Sequence, residues 1–183
     1  MIVARMQNLP SSEILSFREL VASDADDFFS WLTDYEVVKY SLSSFLKLKT
    51  KADVEVWLAD VIADQSVLSL AVVRKESNKL IGYAGISSIS KTNQSGEYYI
   101  LIGDKKSWNH GYGTEVTKCI VEYGFSVMKL HRIQLTVSDH NIGAVKAYEK
   151  AGFVREGVLR DAAFRDGKFH NKIVMSVINP KSF

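Results

Sequence analysis

Apolar and polar positions recur along this chain with two periods, and the switches between them mark out its elements. Residues 14–20 alternate as a half-buried strand does. Ser23-Asp-Ala-Asp26 offers a helix start, with Ser23 or Asp24 as the capping residue. Phe28, Trp31 and Leu32 then share one face of a short helix, which Thr33-Asp34-Tyr-Glu breaks. From 37 to 50 the pattern is irregular and rich in aromatics and serine (Tyr40, Ser41, Ser43, Ser44, Phe45), predicting a short helix or loop suited to meeting a substrate. Residues 51–64 read as a helix with Val54, Trp57, Leu58, Val61 and Ile62 on one side. Three antiparallel strands follow at 68–74, 79–88 and 97–103, separated by the polar turns Glu76-Ser-Asn78 and Lys91-Thr-Asn-Gln-Ser-Gly96. Val116, Cys119, Ile120, Tyr123, Val127 and Leu130 recur at helical spacing over about four turns. Residues 132–138 alternate through Ile133, Leu135 and Val137. Asn141 then caps a helix to Ala151, with Ala144, Ala147, Tyr148 and Ala151 on one face and Gly152 as its left-handed stop. Residues 153–159 and 172–178 are the last two strands, joined by a charged, aromatic linker over 160–171. Residues 1–12 read as a loose lead-in. The order β-α-α-β-β-β-α-β-α-β-β predicts an α+β sheet in a single domain over 1–183, with no internal repeat or second domain boundary.

Composition narrows the function classes. At 183 residues, 46% hydrophobic and 24% charged, the chain is long enough to bury one substantial core. Lys+Arg 23 against Asp+Glu 21, with no basic block, points away from nucleic acid. No apolar run approaches the ~20 residues of a membrane span, and the N-terminus is too short and polar for a signal peptide, so a cytoplasmic setting is expected. The single Cys119 cannot form an internal disulfide, which favours a reducing compartment. On an apolar helix face it reads as a small buried hydrophobe rather than a nucleophile. No cluster with metal-ligand spacing occurs, so no metal is expected.

The stretch that carries chemistry is Trp108-Asn-His-Gly-Tyr-Gly-Thr-Glu115, lying between the strand at 97–103 and the long helix. The first N–H groups of a helix lack internal acceptors and carry partial positive charge, and glycines let a ligand approach them, so this is a candidate phosphate seat. It is not an ATP loop, because Gly113 is followed by Thr114 and Glu115 rather than Lys and Ser/Thr. It lacks the third glycine of a dinucleotide fingerprint, since position 116 is Val. On its own, a glycine pair at a strand-to-helix junction is equally an ordinary tight turn.

Two motifs together give a resemblance. The turn resembles the acetyl-CoA pyrophosphate loop of the GNAT superfamily of N-acetyltransferases, with Trp108 where Gln or Arg is commonly written. Ser107-Trp-Asn-His-Gly-Tyr-Gly-Thr-Glu is similar to the form seen in the RimJ/RimL-like and spermidine N-acetyltransferase-like branches. Asn141-Ile-Gly-Ala-Val-Lys-Ala-Tyr148-Glu-Lys-Ala-Gly-Phe153 resembles the second motif of those branches. The resemblance implies the GNAT fold: a mixed sheet of about seven strands flanked by about four helices, with strands 4 and 5 splayed into a V. It also implies acetyl-CoA as cosubstrate and a primary amine as acceptor, joined by direct attack in a ternary complex.

The resemblance assigns roles that the chemistry makes sense of. An alkylammonium must lose a proton before it attacks a thioester, and Glu97 is the candidate base, directly or through water; a solvated strand-end carboxylate is the alternative. Tyr148 matches the tyrosine that protonates the departing thiolate, or else is a core tyrosine. Asn141 matches a pantetheine contact, or serves only as a cap. A backbone N–H near Leu101 or Ile102 is implied for the oxyanion and the pantetheine amides. Gly111, Tyr112, Gly113 and Thr114 would hold the pyrophosphate, with His110 exposed or beside it. His131, His140 and His170 carry little signal. The acceptor is expected to be a protein N-terminal amine or a small amine, with a polyamine or an amino-sugar nucleotide as alternatives. The deciding residues are expected in 33–50 and 160–171, among them Tyr35, Glu36, Tyr40, Phe45, Asp161, Phe164, Arg165 and Asp166. Only Glu36, Asp161 and Asp166 stand out there as carboxylates for a polyamine. A non-catalytic acyl-CoA-binding regulatory domain is the reading from another class. Exposed Phe and Tyr in the last strands are candidates for a homodimer interface.

Overall fold

The structure, a computed structural model, describes residues 8–41 and 43–181. Residues 1–7 of the expected lead-in lie outside the described residues. Seven strands form one sheet in the order β1-β2-β3-β4-β5-β7-β6: β1 (Leu15–Glu19), β2 (Leu68–Arg74), β3 (Lys79–Ser90), β4 (Ser95–Ile102), β5 (Arg132–Ser138), β6 (Val154–Arg165) and β7 (Lys168–Ile178). Neighbours are antiparallel except β4 and β5, which are parallel.

The sheet buries a different core on each face. α4 (Tyr112–Ser126) and α5 (Ile142–Lys150) cover one face, through Val116, Ile120, Val145 and the strand residues Ile86, Ile133 and Met175. Gly124 lets α4 lie close: a Cβ there would meet Ile133 Cδ1 at 2.6 Å. α1 (Ala25–Leu32) and α3 (Lys51–Ala63) cover the other face with an aromatic cluster of Phe28, Trp31, Trp57 and Tyr83, whose rings pack edge-on or tilted. α2 (Tyr35–Val38) and a 3-10 turn (Ser43–Lys47) fill the irregular stretch, so the helices number five among the described residues.

One break in the sheet positions the site. β4 and β5 pair only from Ser95–Glu97 against Arg132–Gln134. Beyond Glu97, β4 runs on to Ile102 and β5 to Ser138 without pairing, which opens the V expected between strands 4 and 5.

Other details differ from the sequence reading. Residues 160–171 are not a linker but the tip of a long β6–β7 hairpin, closed by Asp166-Gly167 with φ 51° and 73°. Such an Asp-Gly pair is a two-residue hairpin signal. Register shifts at Arg155/Gly157 and Leu159/Ala163 break the alternation that would have shown the strand. Ile62 and Val127, on apolar faces by spacing, are 44% and 37% exposed. Asp24 holds the N-cap position of α1, but its side chain caps no α1 N–H: its carboxylate accepts from the Val21 N–H at 3.0 Å and takes both guanidinium nitrogens of Arg18. No helix among the described residues is long and apolar enough to cross a membrane.

Candidate active site

A cleft of about 970 Å³ fills the V and runs from one face of the sheet to the other. Its floor is the unpaired edge of β4. Gly103 donates to Ile81 O at 2.9 Å, which fixes 103 as a hydrogen-bonded position facing β3. In an antiparallel ladder such positions alternate. Leu101, opposite Tyr83, therefore turns its N–H and C=O to β3, while Ile100 and Ile102 turn theirs to the open edge. Of the two positions that the sequence left open, Ile102 presents a free N–H to the cleft and Leu101 does not. Trp108 Nε1 donates to Ile102 O at 2.8 Å and so occupies the carbonyl beside that N–H.

The N-terminus of α4 forms one wall. Its cap residue Gly111 has φ +82°, the left-handed region, and no side chain caps the helix. The N–H groups of Tyr112, Gly113 and Thr114 precede the first helical bond, from Glu115 N to Gly111 O, and all three residues line the cleft. Gly113 lies inside the helix, and a Cβ built there meets nothing closer than Ala147 Cβ at 4.0 Å. Protein packing does not require glycine at 113; the bare backbone faces space that a ligand can use. His110 is exposed, hydrogen-bonded to Trp108 O at 2.6 Å, and does not line the cleft.

α5 forms the opposite wall. Asn141 caps it, accepting from the Ala144 N–H at 3.3 Å, and also lines the cleft. Tyr148 lies about two turns further, its ring edge-on to Tyr98 at 6.1 Å. Burial pushes its phenol well above the ordinary value, so it is a protonated donor at neutral pH. No hydrogen bond from another described residue occupies its hydroxyl, which lies in the cleft.

Glu97 sits at the point where β4 and β5 part, half-buried in the cleft. Strand alternation puts it on the face of Tyr99 and Leu101, the face carrying α1 and α3. That arm of the cleft is lined by Tyr40, Phe45, Trp57, Tyr83 and Tyr99, with Glu36 and Asp64. Asp64 escaped the sequence reading because only the packing of α3 brings its C-terminal end to β4. Its carboxylate accepts from the N–H and Oγ of Ser66 at 2.8 and 2.6 Å, which hold it below the usual range and hence ionised. Burial pushes Tyr99 up to about 12, and its hydroxyl meets Ser69 Oγ at 2.6 Å and Leu68 O at 2.9 Å. The stretches 33–50 and 160–171 do meet: Tyr35 donates to Asp166, and Arg165 donates to Ser41 O at 2.9 Å. Residues 160–171 do not themselves line the cleft; Asp161, Phe164, Arg165 and Asp166 lie outside it.

The free β4 edge, the uncapped α4 and the ligand space at Gly113 fit a pantetheine arm followed by a diphosphate. The comparisons with known proteins agree. The family described as Acetyltransferase (GNAT) domain matches residues 15–154. The uncharacterized N-acetyltransferase p20 of Bacillus licheniformis is 26% identical over 168 residues, 91% of this chain and 94% of that protein. The spermidine N(1)-acetyltransferase of Vibrio cholerae is 30% identical over 110 residues, 60% of this chain and 63% of that protein. A GNAT-family acetyltransferase from Bacillus anthracis shares the fold with TM-score 0.81 at 22% identity, over 93% of this chain and 98% of the other. The V. cholerae spermidine N-acetyltransferase in complex with CoA and spermine gives 0.80 at 23% identity, over 91% and 96%. This chain belongs to the GNAT acetyltransferase family and is an N-acetyltransferase that uses acetyl-CoA.

Proposed function

We propose that this enzyme acetylates a small cationic primary amine in the arm of the cleft that carries α1 and α3. The observation behind this reading is the lining of that arm: five aromatic rings with Asp64 and Glu97, and with Glu36, which is paired with Lys39 at 2.8 Å. Aromatic faces and carboxylates both attract an alkylammonium as it leaves water. Against the sequence reading, which weighed a protein N-terminus equally, Asp64 adds a carboxylate on the same arm. The spermidine acetyltransferases among the relatives favour the same acceptor class and, within the family, the spermidine-like side.

Acetyl-CoA supplies an activated acyl thioester. The chain's residues divide the rest of the work. The N–H groups of Tyr112, Gly113 and Thr114 hold diphosphate oxygens, and the open edge at Ile100 and Ile102 aligns the amide-bearing arm. Glu97 takes a proton from the ammonium, directly or through water. As the amine nitrogen bonds to the carbonyl carbon and the C–S bond breaks, the Tyr148 hydroxyl gives its proton to the sulfur, and the second proton that the nitrogen sheds on becoming an amide passes through water to restore that hydroxyl. The Ile102 N–H is the donor aimed at the edge where negative charge develops on oxygen. A cytoplasmic setting suits an enzyme that consumes acetyl-CoA.

The test is thiol release from acetyl-CoA with spermidine, simple diamines, Ser- and Ala-starting peptides and an amino-sugar nucleotide, with products identified by mass. Release with the small cationic amines and not with the peptides is expected. Release with peptides or the sugar nucleotide alone would overturn the acceptor assignment. Tight acetyl-CoA binding with no release from any amine would favour a binding module.

A further inference from the structure

Four lysines line the cleft: Lys39, Lys146, Lys150 and Lys172. Lys39 is engaged by Glu36 at 2.8 Å. Lys172 is on β7 next to Ile173, whose side chain is in the core under α4 and α5, so by alternation Lys172 points to the other face. Lys146 and Lys150 remain, one turn apart on the cleft face of α5, and neither makes an ion pair with another described residue. They flank Ala147, the residue whose Cβ lies 4.0 Å from the Cβ position of Gly113. Two unneutralised ammonium groups thus stand beside the helix N-terminus that holds the diphosphate, while Glu36, Asp64 and Glu97 come from α2, the end of α3 and the start of β4.

The diphosphate seat is made of neutral backbone N–H groups and a helix dipole. These suit a shielded diester but leave unmatched any terminal phosphomonoester nearby, which carries about −1.5 to −2 charge at neutral pH. Coenzyme A has such a group, the 3′-phosphate of its ribose, and 3′-dephospho-CoA lacks it. We propose that Lys146 and Lys150 form a subsite for the 3′-phosphate, so that this enzyme selects coenzyme A over its dephospho form. The inference rests on the acetyl-CoA reading given above.

Calorimetric titration tests it without turnover. Wild type and the K146Q/K150Q variant are titrated at low salt with coenzyme A and with 3′-dephospho-CoA. Gln keeps helix propensity close to that of Lys, and 3′-dephospho-CoA binding by the variant reports that its site is intact. Wild type is expected to prefer coenzyme A by about five- to ten-fold, a preference that shrinks as salt is added. The variant is expected to lose that preference through weaker coenzyme A binding, with its affinity for 3′-dephospho-CoA almost unchanged. Equal wild-type affinity for the two ligands overturns the subsite alone. A variant that weakens toward both ligands in equal proportion overturns it too, because the lysines would then serve the diphosphate. Failure of wild type to bind either ligand overturns the acetyl-CoA reading and the subsite with it.

Discussion

Glu97 and Tyr148 can each be altered without disturbing the sheet, and only one of them should leave a signature in pH. An alkylammonium with a pKa near ~10.4 is almost wholly protonated at neutral pH, so Glu97→Gln is expected to lower kcat by about 10² to 10³ there. The deficit should narrow as pH rises toward that of the free amine; a loss of equal size across pH 7–10 would count against Glu97 as the base. Tyr148 should add no inflection to the profile below pH 10, since burial raises its phenol and keeps the proton in place. The two glycines of the turn separate fold from function. Gly111 is needed by its backbone, at φ +82°. Gly113 is not, so Gly113→Leu should leave thermal stability within about 1 kcal/mol of wild type or raise it. The same substitution should weaken acetyl-CoA binding at least ten-fold in a titration, and unchanged binding would remove the diphosphate seat from this turn. The glycine turn and the uncapped start of α4 were legible because that signal is local. Asp64 was not, because nothing near it in sequence tells that α3 delivers its last turn to β4.

At the scale of elements, the edge of β4 is half satisfied. Leu101 bonds to β3, whereas Ile100 and Ile102 face a gap. On adding coenzyme A, hydrogen exchange should slow at Ile100, Ile102, Gly113 and Thr114 and stay unchanged at Leu101. Protection appearing at Leu101 in place of Ile102 would show the opposite register. On the far side of the V, a bulge at Glu156 aims its carboxylate across β7, where it accepts from Arg132 Nη1 and Ser176 Oγ, both at 2.7 Å. These partners pull Glu156 down from 4.5 to about 2. A depressed carboxylate adds stability above its unfolded pKa and loses it as pH falls toward the folded value. Wild type should therefore melt above Glu156→Gln near neutral pH, with the difference fading between pH 4.5 and about 2. A gap in melting temperature that persists at pH 2 would assign the effect to packing. This bulge also explains the misread end of the chain. Strand β5, without one, was legible to the residue, but in β6 the skipped positions and the charges of Arg160 and Asp161 look like a loop.

Across the whole molecule, two cores share one sheet and the cleft passes between them, so the proposed sites for the acyl donor and the acceptor fall in opposite halves. The hairpin tip ties the halves together, through Tyr35 to Asp166 and Arg165 to Ser41 O, and both ties brace the segment that carries Glu36 and Tyr40 into the cleft. The Tyr35–Asp166 contact is exposed, so Tyr35→Phe combined with Asp166→Asn should leave the melting temperature close to that of wild type. It should instead raise KM for the amine several-fold and leave KM for acetyl-CoA alone; a change in both would mean that the tip stabilises the cleft as a unit. The element order and the splay were legible from two motifs and the alternation of strands. The tie between residues 35 and 166 was not, since 131 positions separate them and neither lies in a pattern.

The irregularity of β6 has one more consequence. It is an edge strand of 12 residues, exposed nearly throughout, with Val158, Phe164 and the facing Phe169 each more than half accessible. A flat edge of that length and composition would recruit further chains through its open N–H and C=O groups and seed aggregates. Two register shifts and a left-handed Asp161 keep those groups out of line. Straightening β6 by deleting the extra residues would therefore be expected to cost the protein its solubility before its activity.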